Sequence, residues 1–229
     1  MAHDDSLPVR VSPGTKVRLR DYDPADTGGV MREEAERRTA GLAGEFAEMQ
    51  ELLYGAGQQS VLIVLQGMDT SGKDGTIRHV MAPINPQGCD VVTFKEPTPA
   101  DLAHDFLWRI HPCTPAKGMI GIFNRSHYED VLVVRVHNLV PKEVWKRRYA
   151  AINDFERLLV NNGTIVLKFF LHISKEEQRA RLLAREKDVT KAWKLSAGDW
   201  IERERWGDYQ AAYEAALSKC STKEAPWQI

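Results

Sequence analysis

Three side chains with phosphate chemistry stand close together in Gly67-Met68-Asp69-Thr70-Ser71-Gly72-Lys73-Asp74-Gly75-Thr76, which contains the pattern G-x-x-x-x-G-K. Glycines at Gly67, Gly72 and Gly75 let the backbone curl so that N–H groups, including those of Thr70, Ser71 and Thr76, face an anion. Lys73 brings a point charge to the transferred phosphate and is expected to face solvent. Asp74 stands where the common pattern has the Ser or Thr that helps to hold Mg2+. Asp69 offers a hard carboxylate oxygen instead. Each of these residues also has an ordinary role open to it, as part of a Gly-rich turn or as an Asx contact.

A second polar cluster is Asn124-Arg125-Ser126-His127-Tyr128-Glu129-Asp130, directly after the apolar run Met119–Phe123. Asn124 or Glu129 could position Mg2+ or its waters, and the planar fork of Arg125 could bridge two phosphates. A third feature is basic: Arg179, Arg181, Arg185, Lys187, Lys191 and Lys194 are opposed only by Glu186 and Asp188. Most of these fit a solvated helix face. As a group they also fit a lid that closes over phosphates and excludes water. Lys95 is a weaker candidate for an acceptor phosphate.

These clusters need strands and helices to carry them. Short continuous apolar runs at Ser60–Gln66, Val91–Phe94, Met119–Phe123 and Thr164–Ile173 suit strands buried on both faces. Helical spacing predicts a helix over 30–54, with Leu42, Phe46, Met49 and Leu53 on one face. A cap at Thr98–Asp101 predicts a helix through Ile110. The helix opened by Pro141 presents Val144, Arg148, Ile152, Phe155 and Leu159. Ser174–Glu177 is a capping-box pattern, and Asp199–Lys219 reads as one helix with Tyr209, Ala212, Tyr213 and Ala216 inward. Strands alternating with helices imply parallel βαβ units in an α/β domain over 30–229, preceded by an extended arm at 1–29. Both loops then fall at the C-terminal edge of the sheet, where such proteins bind ligands.

The 229 residues hold 31 Lys+Arg against 32 Asp+Glu, a net charge of −1, so a basic surface for a polyanion must be local. Apolar runs are far below the ~20 residues of a membrane span. Neither a membrane nor a secretory signal is expected, nor is a nucleic-acid partner. Cys89, Cys113 and Cys220 fit neither a disulfide framework nor a zinc site, which favours a reducing cytoplasm.

Together, Gly67–Gly75, Phe123–Glu129 and Lys191-Ala192-Trp193-Lys194 resemble the second family of polyphosphate kinases, over about Arg18 to Trp227. The resemblance implies a three-layer P-loop kinase fold, thymidylate-kinase-like, with a parallel sheet and a helical lid at about 175–198. It implies Mg2+ (with Mn2+ as the alternative) and inorganic polyphosphate as donor to adenine, and by extension guanine, nucleotides. A homo-oligomer is a further expectation. Asp69 resembles the family's metal-binding acid, Lys73 its phosphate-binding lysine, Arg125 the arginine after the third strand and Arg185 the lid arginine. Asn124 and Glu129 stand where other branches carry Asp and Asn, and the pair resembles the branch acting on both nucleoside mono- and diphosphates. Val189 departs from a common Pro, and Ala225–Ile229 reads as an edge strand cut short. An ATP-dependent nucleoside monophosphate kinase would share the phosphate loop. A non-catalytic nucleotide or nucleic-acid binder would share the basic segment but leave Asn124–Glu129 without a role.

Overall fold

In the computed structural model, which describes residues 8–94, 97–187 and 197–229, the apolar runs become strands and the segments between them become helices. In chain order these are α1 (Arg32–Ala56), β1 (Ser60–Gly67), α2 (Lys73–Val80), β2 (Cys89–Thr93), α3 (Pro99–Leu102), β3 (Ile120–Asn124), α4 (Val133–Val136), α5 (Lys142–Asn161), β4 (Thr164–Leu171), α6 (Lys175–Lys187), α7 (Ala197–Glu204), α8 (Trp206–Lys219) and β5 (Trp227–Gln228). The sheet has five strands in the order β2-β3-β1-β4-β5, all parallel. Side chains of β1 alternate between two cores. Leu62 and Val64 join the larger one with α5 and α8, whereas Val61, Ile63 and Leu65 join a smaller one with Phe46 and Leu53 of α1 and Ile77 of α2. Helices on both faces make the three-layer α/β arrangement of a P-loop kinase.

β1 lies at the centre of the sheet, and the chain leaves it in one direction for β2 and β3 and in the other for β4 and β5. The register sets Leu65 beside Asn124, so the loops that follow β1 and β3 emerge side by side. This is the switch point at which open α/β sheets bind ligands.

Several sequence expectations are corrected. On α1 the covered line is Phe46, Gln50 and Leu53, while Leu42 is 61 % and Met49 67 % exposed. The capping box at Thr98 and Asp101 forms, but its helix lasts only from Pro99 to Leu102. Asp105 then accepts the Leu107 N–H in a local turn that competes with helix. On α5 the inward line starts at Trp145 and Tyr149, not at Val144, which is exposed. Asp199–Lys219 is two helices, broken at Arg205 (φ −83°, ψ 16°). β5 comprises only Trp227 and Gln228, beside Lys168 and Phe169 of β4. Its other edge is taken by residues 9–11: Val9 and Ile229 exchange both backbone hydrogen bonds at 2.9 Å, and the Val11 N–H donates to the Trp227 carbonyl at 2.9 Å. The same segment sends Val11, Val17 and Leu19 into the larger core. The three cysteines are free thiols. Among the described residues no helix is long and apolar enough to cross a membrane.

Candidate active site

The loop from Gly67 to Gly72 links β1 to α2, and its backbone is tight at both ends. A Cβ on Gly67 would lie 2.8 Å from the Leu171 carbonyl oxygen, so the loop leaves β1 in a place only glycine fits. Gly72 (φ 102°) caps α2 in the left-handed region that favours glycine. Thr70 also has positive φ, 61°. Gly75 and Thr76 lie in the first turn of α2, and the Thr76 N–H closes on the Gly72 carbonyl at 2.9 Å.

Lys73 does not face solvent, contrary to expectation. It is buried, and its amine donates to the carbonyls of Gly67 at 2.9 Å and Met68 at 3.2 Å and to Ser71 Oγ at 3.4 Å. Carbonyls of its own loop hold the charge that a phosphate would otherwise take. Burial, and after it the nearby Arg125 guanidinium, push the amine down to about 8, with Asp69, Glu129 and Asp74 offsetting part of the shift.

The loop after β3 distributes its side chains to different partners. Asn124 Nδ2 donates to Asp74 Oδ1 at 2.7 Å. Arg125 takes positive φ, 62°, with its N–H on the Leu65 carbonyl at 3.2 Å and its Nη2 3.8 Å from Asp69 Oδ1. Burial opposes its charge, but Glu129 and Asp69 hold the guanidinium firmly protonated. Ser126 Oγ caps the following turn through the Tyr128 N–H, and Gln66 Nε2 bridges Ser126 Oγ and Glu129 Oε1, both at 3.2 Å. His127 and Tyr128 turn into the core. Their Nε2 and OH meet Glu156 at 3.2 and 2.7 Å, and Lys168 Nζ lies 2.6 Å from the other oxygen of Glu156. Lys168 also donates to the Tyr128 hydroxyl at 2.9 Å and the Cys220 carbonyl at 2.5 Å. This network lies directly beneath the loop that carries Arg125 and Glu129.

Asp69, Arg125, Glu129 and Arg185 line one cavity of about 440 Å³ beside Gly67. Arg185 reaches it from α6, while Lys187 is exposed. Asn124 is not in this wall; it reaches the phosphate loop through Asp74. Lys95 and residues 188–196, which include Lys191–Lys194, lie outside the described residues.

Several residues outside the sequence motifs line the cavity or hold its phosphate loop. Gln178 Nε2 donates to the Asp69 carbonyl at 3.1 Å, and Arg181, taken for a solvated face, donates to the Thr70 carbonyl at 3.1 Å. Tyr213 OH donates to the Gly67 carbonyl at 3.0 Å, so a residue expected as plain core supports the loop. Farther along the wall, Glu202 accepts from Tyr209 OH at 2.7 Å and lies 3.0 Å from His137 Nε2. Their only signal in sequence was polar tips on inward helix positions.

The donor set suits a hard divalent cation. Asp69 and Glu129 present carboxylate oxygens to the cavity, and among the described residues no group of three His, Cys, Asp or Glu forms a closed cage. Mg2+ is typically held in that way, by one or two carboxylates with phosphate oxygens and water completing the shell.

The family model described as Polyphosphate kinase 2 matches residues 29–229. The AMP/ADP-polyphosphate phosphotransferase of Meiothermus ruber is 52 % identical over 222 residues, 96 % of this chain and 83 % of that protein. The ADP-polyphosphate phosphotransferase of Rhodopseudomonas palustris is 49 % identical over 194 residues, 80 % of this chain and 67 % of that protein. The crystal structure of polyphosphate kinase 2 from Arthrobacter aurescens TC1 superposes with a TM-score of 0.91 at 44 % identity, covering 96 % of this chain and 80 % of that one.

Proposed function

Because the chain belongs to the polyphosphate kinase 2 family, we propose that it transfers phosphoryl groups between inorganic polyphosphate and both AMP and ADP, in a reaction that requires Mg2+ or Mn2+. The observation that carries this reading is the convergence of Asp69, Arg125, Glu129 and Arg185 on one cavity at the mouth of the phosphate loop. A phosphoryl group in that position meets Arg125 from the end of β3 and Arg185 from α6, with Lys73 at the start of α2 held just behind the loop on the Gly67 and Met68 carbonyls.

The attacking atom is a nucleotide phosphate oxygen, already ionised near neutral pH, so no general base is needed. Catalysis rests on in-line alignment and on neutralising charge as it spreads over the transferred group. On phosphate binding, Lys73 exchanges the Gly67 and Met68 carbonyls for phosphate oxygens. Arg125 spans neighbouring phosphates with its fork. Glu129, steadied by Gln66, positions the acceptor and takes no proton. Asp69 and Glu129 would hold the cation, whose chemistry is charge neutralisation on the phosphates. Arg185 closes the cavity from α6 and excludes water, which would otherwise compete with the acceptor.

The test is turnover of polyphosphate with AMP, ADP or GDP, and of ATP with AMP, followed by nucleotide chromatography. Polyphosphate should convert AMP to ADP and then to ATP. Product from the ATP reaction alone would overturn the assignment.

A further inference from the structure

Gln178 is buried, 3 % exposed, in the first half of α6, and it lines the cavity that Asp69, Arg125 and Glu129 also line. Its amide nitrogen donates to the Asp69 carbonyl at 3.1 Å. That contact fixes which way the amide faces, because a carbonyl can only accept and the Gln oxygen cannot take the nitrogen's place. The amide oxygen is therefore the atom that this contact leaves unused. It is buried and has no hydrogen-bond partner among the described residues.

A buried acceptor without a donor costs about 1–3 kcal/mol, and native structures rarely keep one. The chemistry of the cavity narrows what could fill it. Ionised phosphates accept hydrogen bonds and donate none. The carboxylates of the same wall, Asp69, Glu129, Asp199 and Glu202, accept when ionised, and Arg125 and Arg185, which could donate, are assigned to the phosphates. Water coordinated to a divalent cation is a strong donor, since the cation polarises its O–H bonds. The residue whose carbonyl Gln178 holds is the same one whose carboxylate fits the cation.

We propose that Gln178 is a positioning residue for the divalent cation: its nitrogen fixes the Asp69 backbone, and its oxygen accepts a hydrogen bond from a water in the coordination shell of the cation at Asp69. The inference rests on the reading that Asp69 holds that cation. It makes α6 more than a carrier for Arg185, because the helix orients the cation site at one end and presents the arginine at the other. Outer-shell partners of this kind typically change metal affinity 10- to 100-fold when removed.

The experiment titrates Mn2+ into the full chain and follows the free-ion electron paramagnetic resonance signal, for the unaltered protein and for Gln178→Leu, Gln178→Glu and Asp69→Asn. Thermal melts of each variant establish that it is folded. Gln178→Leu keeps the bulk but loses donor and acceptor, and should weaken Mn2+ binding roughly tenfold. Gln178→Glu keeps an acceptor oxygen but loses the donor to the Asp69 carbonyl, and should bind Mn2+ more tightly than Gln178→Leu. The same ordering should appear in the cation concentration that gives half-maximal rate, with kcat at saturating cation changed less. Unchanged Mn2+ affinity in Gln178→Leu, or equal loss in Gln178→Leu and Gln178→Glu, would overturn the proposal. Asp69→Asn separates the two levels: if it too leaves Mn2+ binding unchanged, the cation reading itself fails, and if it alone weakens binding, only the role of Gln178 fails.

Discussion

The buried Lys73 makes phosphate binding depend on pH with a predictable sign and size. Its amine is pushed down to about 8 in the ligand-free protein, chiefly by burial. A bound polyanion strongly favours the charged form and should return the value above the working range. Only the protonated amine then binds well. For a group at about 8 the protonated fraction falls from roughly nine-tenths at pH 7 to roughly one-tenth at pH 9. The dissociation constant for polyphosphate should therefore rise about tenfold over that interval. Long-chain polyphosphate is the suitable ligand, because its internal phosphates are fully ionised throughout. Isothermal titration calorimetry at constant ionic strength measures the effect, with proton uptake on binding as an independent readout in buffers of different ionisation enthalpy. The stability of the ligand-free fold should move in the opposite direction. The unfolded lysine keeps its proton up to about 10.5, so between about 8 and 10.5 the unfolded chain binds more protons and native stability rises with pH. Below about 8 both forms are protonated, and Lys73 adds no pH dependence. Lys73→Met should bind polyphosphate weakly and lack both trends. A flat affinity profile from pH 7 to 9, or the same slope in Lys73→Met, would refute the reasoning.

Three further perturbations follow from the geometry. Arg185→Ala should slow transfer at least tenfold, whereas Lys187→Ala, at an exposed position, should change it little at constant ionic strength; equal losses would mean a diffuse electrostatic surface. Glu129→Asn should narrow the acceptor range, shifting the ratio of AMP to ADP turnover while polyphosphate affinity stays nearly constant, and an unchanged ratio would show that Glu129 only anchors Gln66. Lys168→Met leaves Glu156 charged and buried, which should cost about 3–5 kcal/mol and lower Tm by roughly 10 °C. The double variant Lys168→Met/Glu156→Leu should recover much of that loss, and a single-variant shift within experimental error would contradict the network.

The central strands were legible because β1 and β3, buried on both faces, are written as unbroken apolar runs. β2 and β4 were expected to be buried in the same way, but Val91, Ile165 and Leu167 are exposed, because the helices do not cover that part of the sheet. Helix extents were less so. α3 ends at Leu102, and just beyond it the Asp105 side chain takes the Leu107 N–H, a local competition that periodicity does not register. On α5, Val144 and Trp145 differ by one position and both sit within the tolerance of a 3.6-residue repeat; packing chose the larger side chain. The stripe on α1 follows helical spacing, yet the domain covers the line Phe46, Gln50 and Leu53 and leaves Met49 outside it, and which polar residue shares the buried face is a tertiary fact. Within the site, the phosphate loop was legible because its residues are contiguous. Gln178 and Tyr213 were not, since they meet it from 109 and 146 positions away in sequence.

The loop after β3 shows where the sequence stops specifying the site and backbone geometry takes over. Asn124, Arg125, Ser126 and His127 are consecutive, and strand alternation would send them to two faces. Instead they meet Asp74, Asp69, Gln66 and Glu156 respectively. The departure occurs at Arg125, whose φ of 62° is an unfavourable conformation for a side chain with a Cβ, typically costing about 1–3 kcal/mol. Glycine would relieve that strain but remove the fork that faces the cavity. The strain is held in place from both sides: the Arg125 N–H is tied to the Leu65 carbonyl on β1, and His127 and Tyr128 are tied to the Glu156–Lys168 pair below. The two loops of the site are therefore one unit. The β1–β3 register sets their spacing, the buried ion pair anchors the second, and α6 and α8 grip the carbonyls of the first through Gln178, Arg181 and Tyr213. A site built in this way has Arg125 fixed before the phosphates arrive, which spares reorganisation at that cation during transfer, whereas Lys73 must first release the Gly67 and Met68 carbonyls.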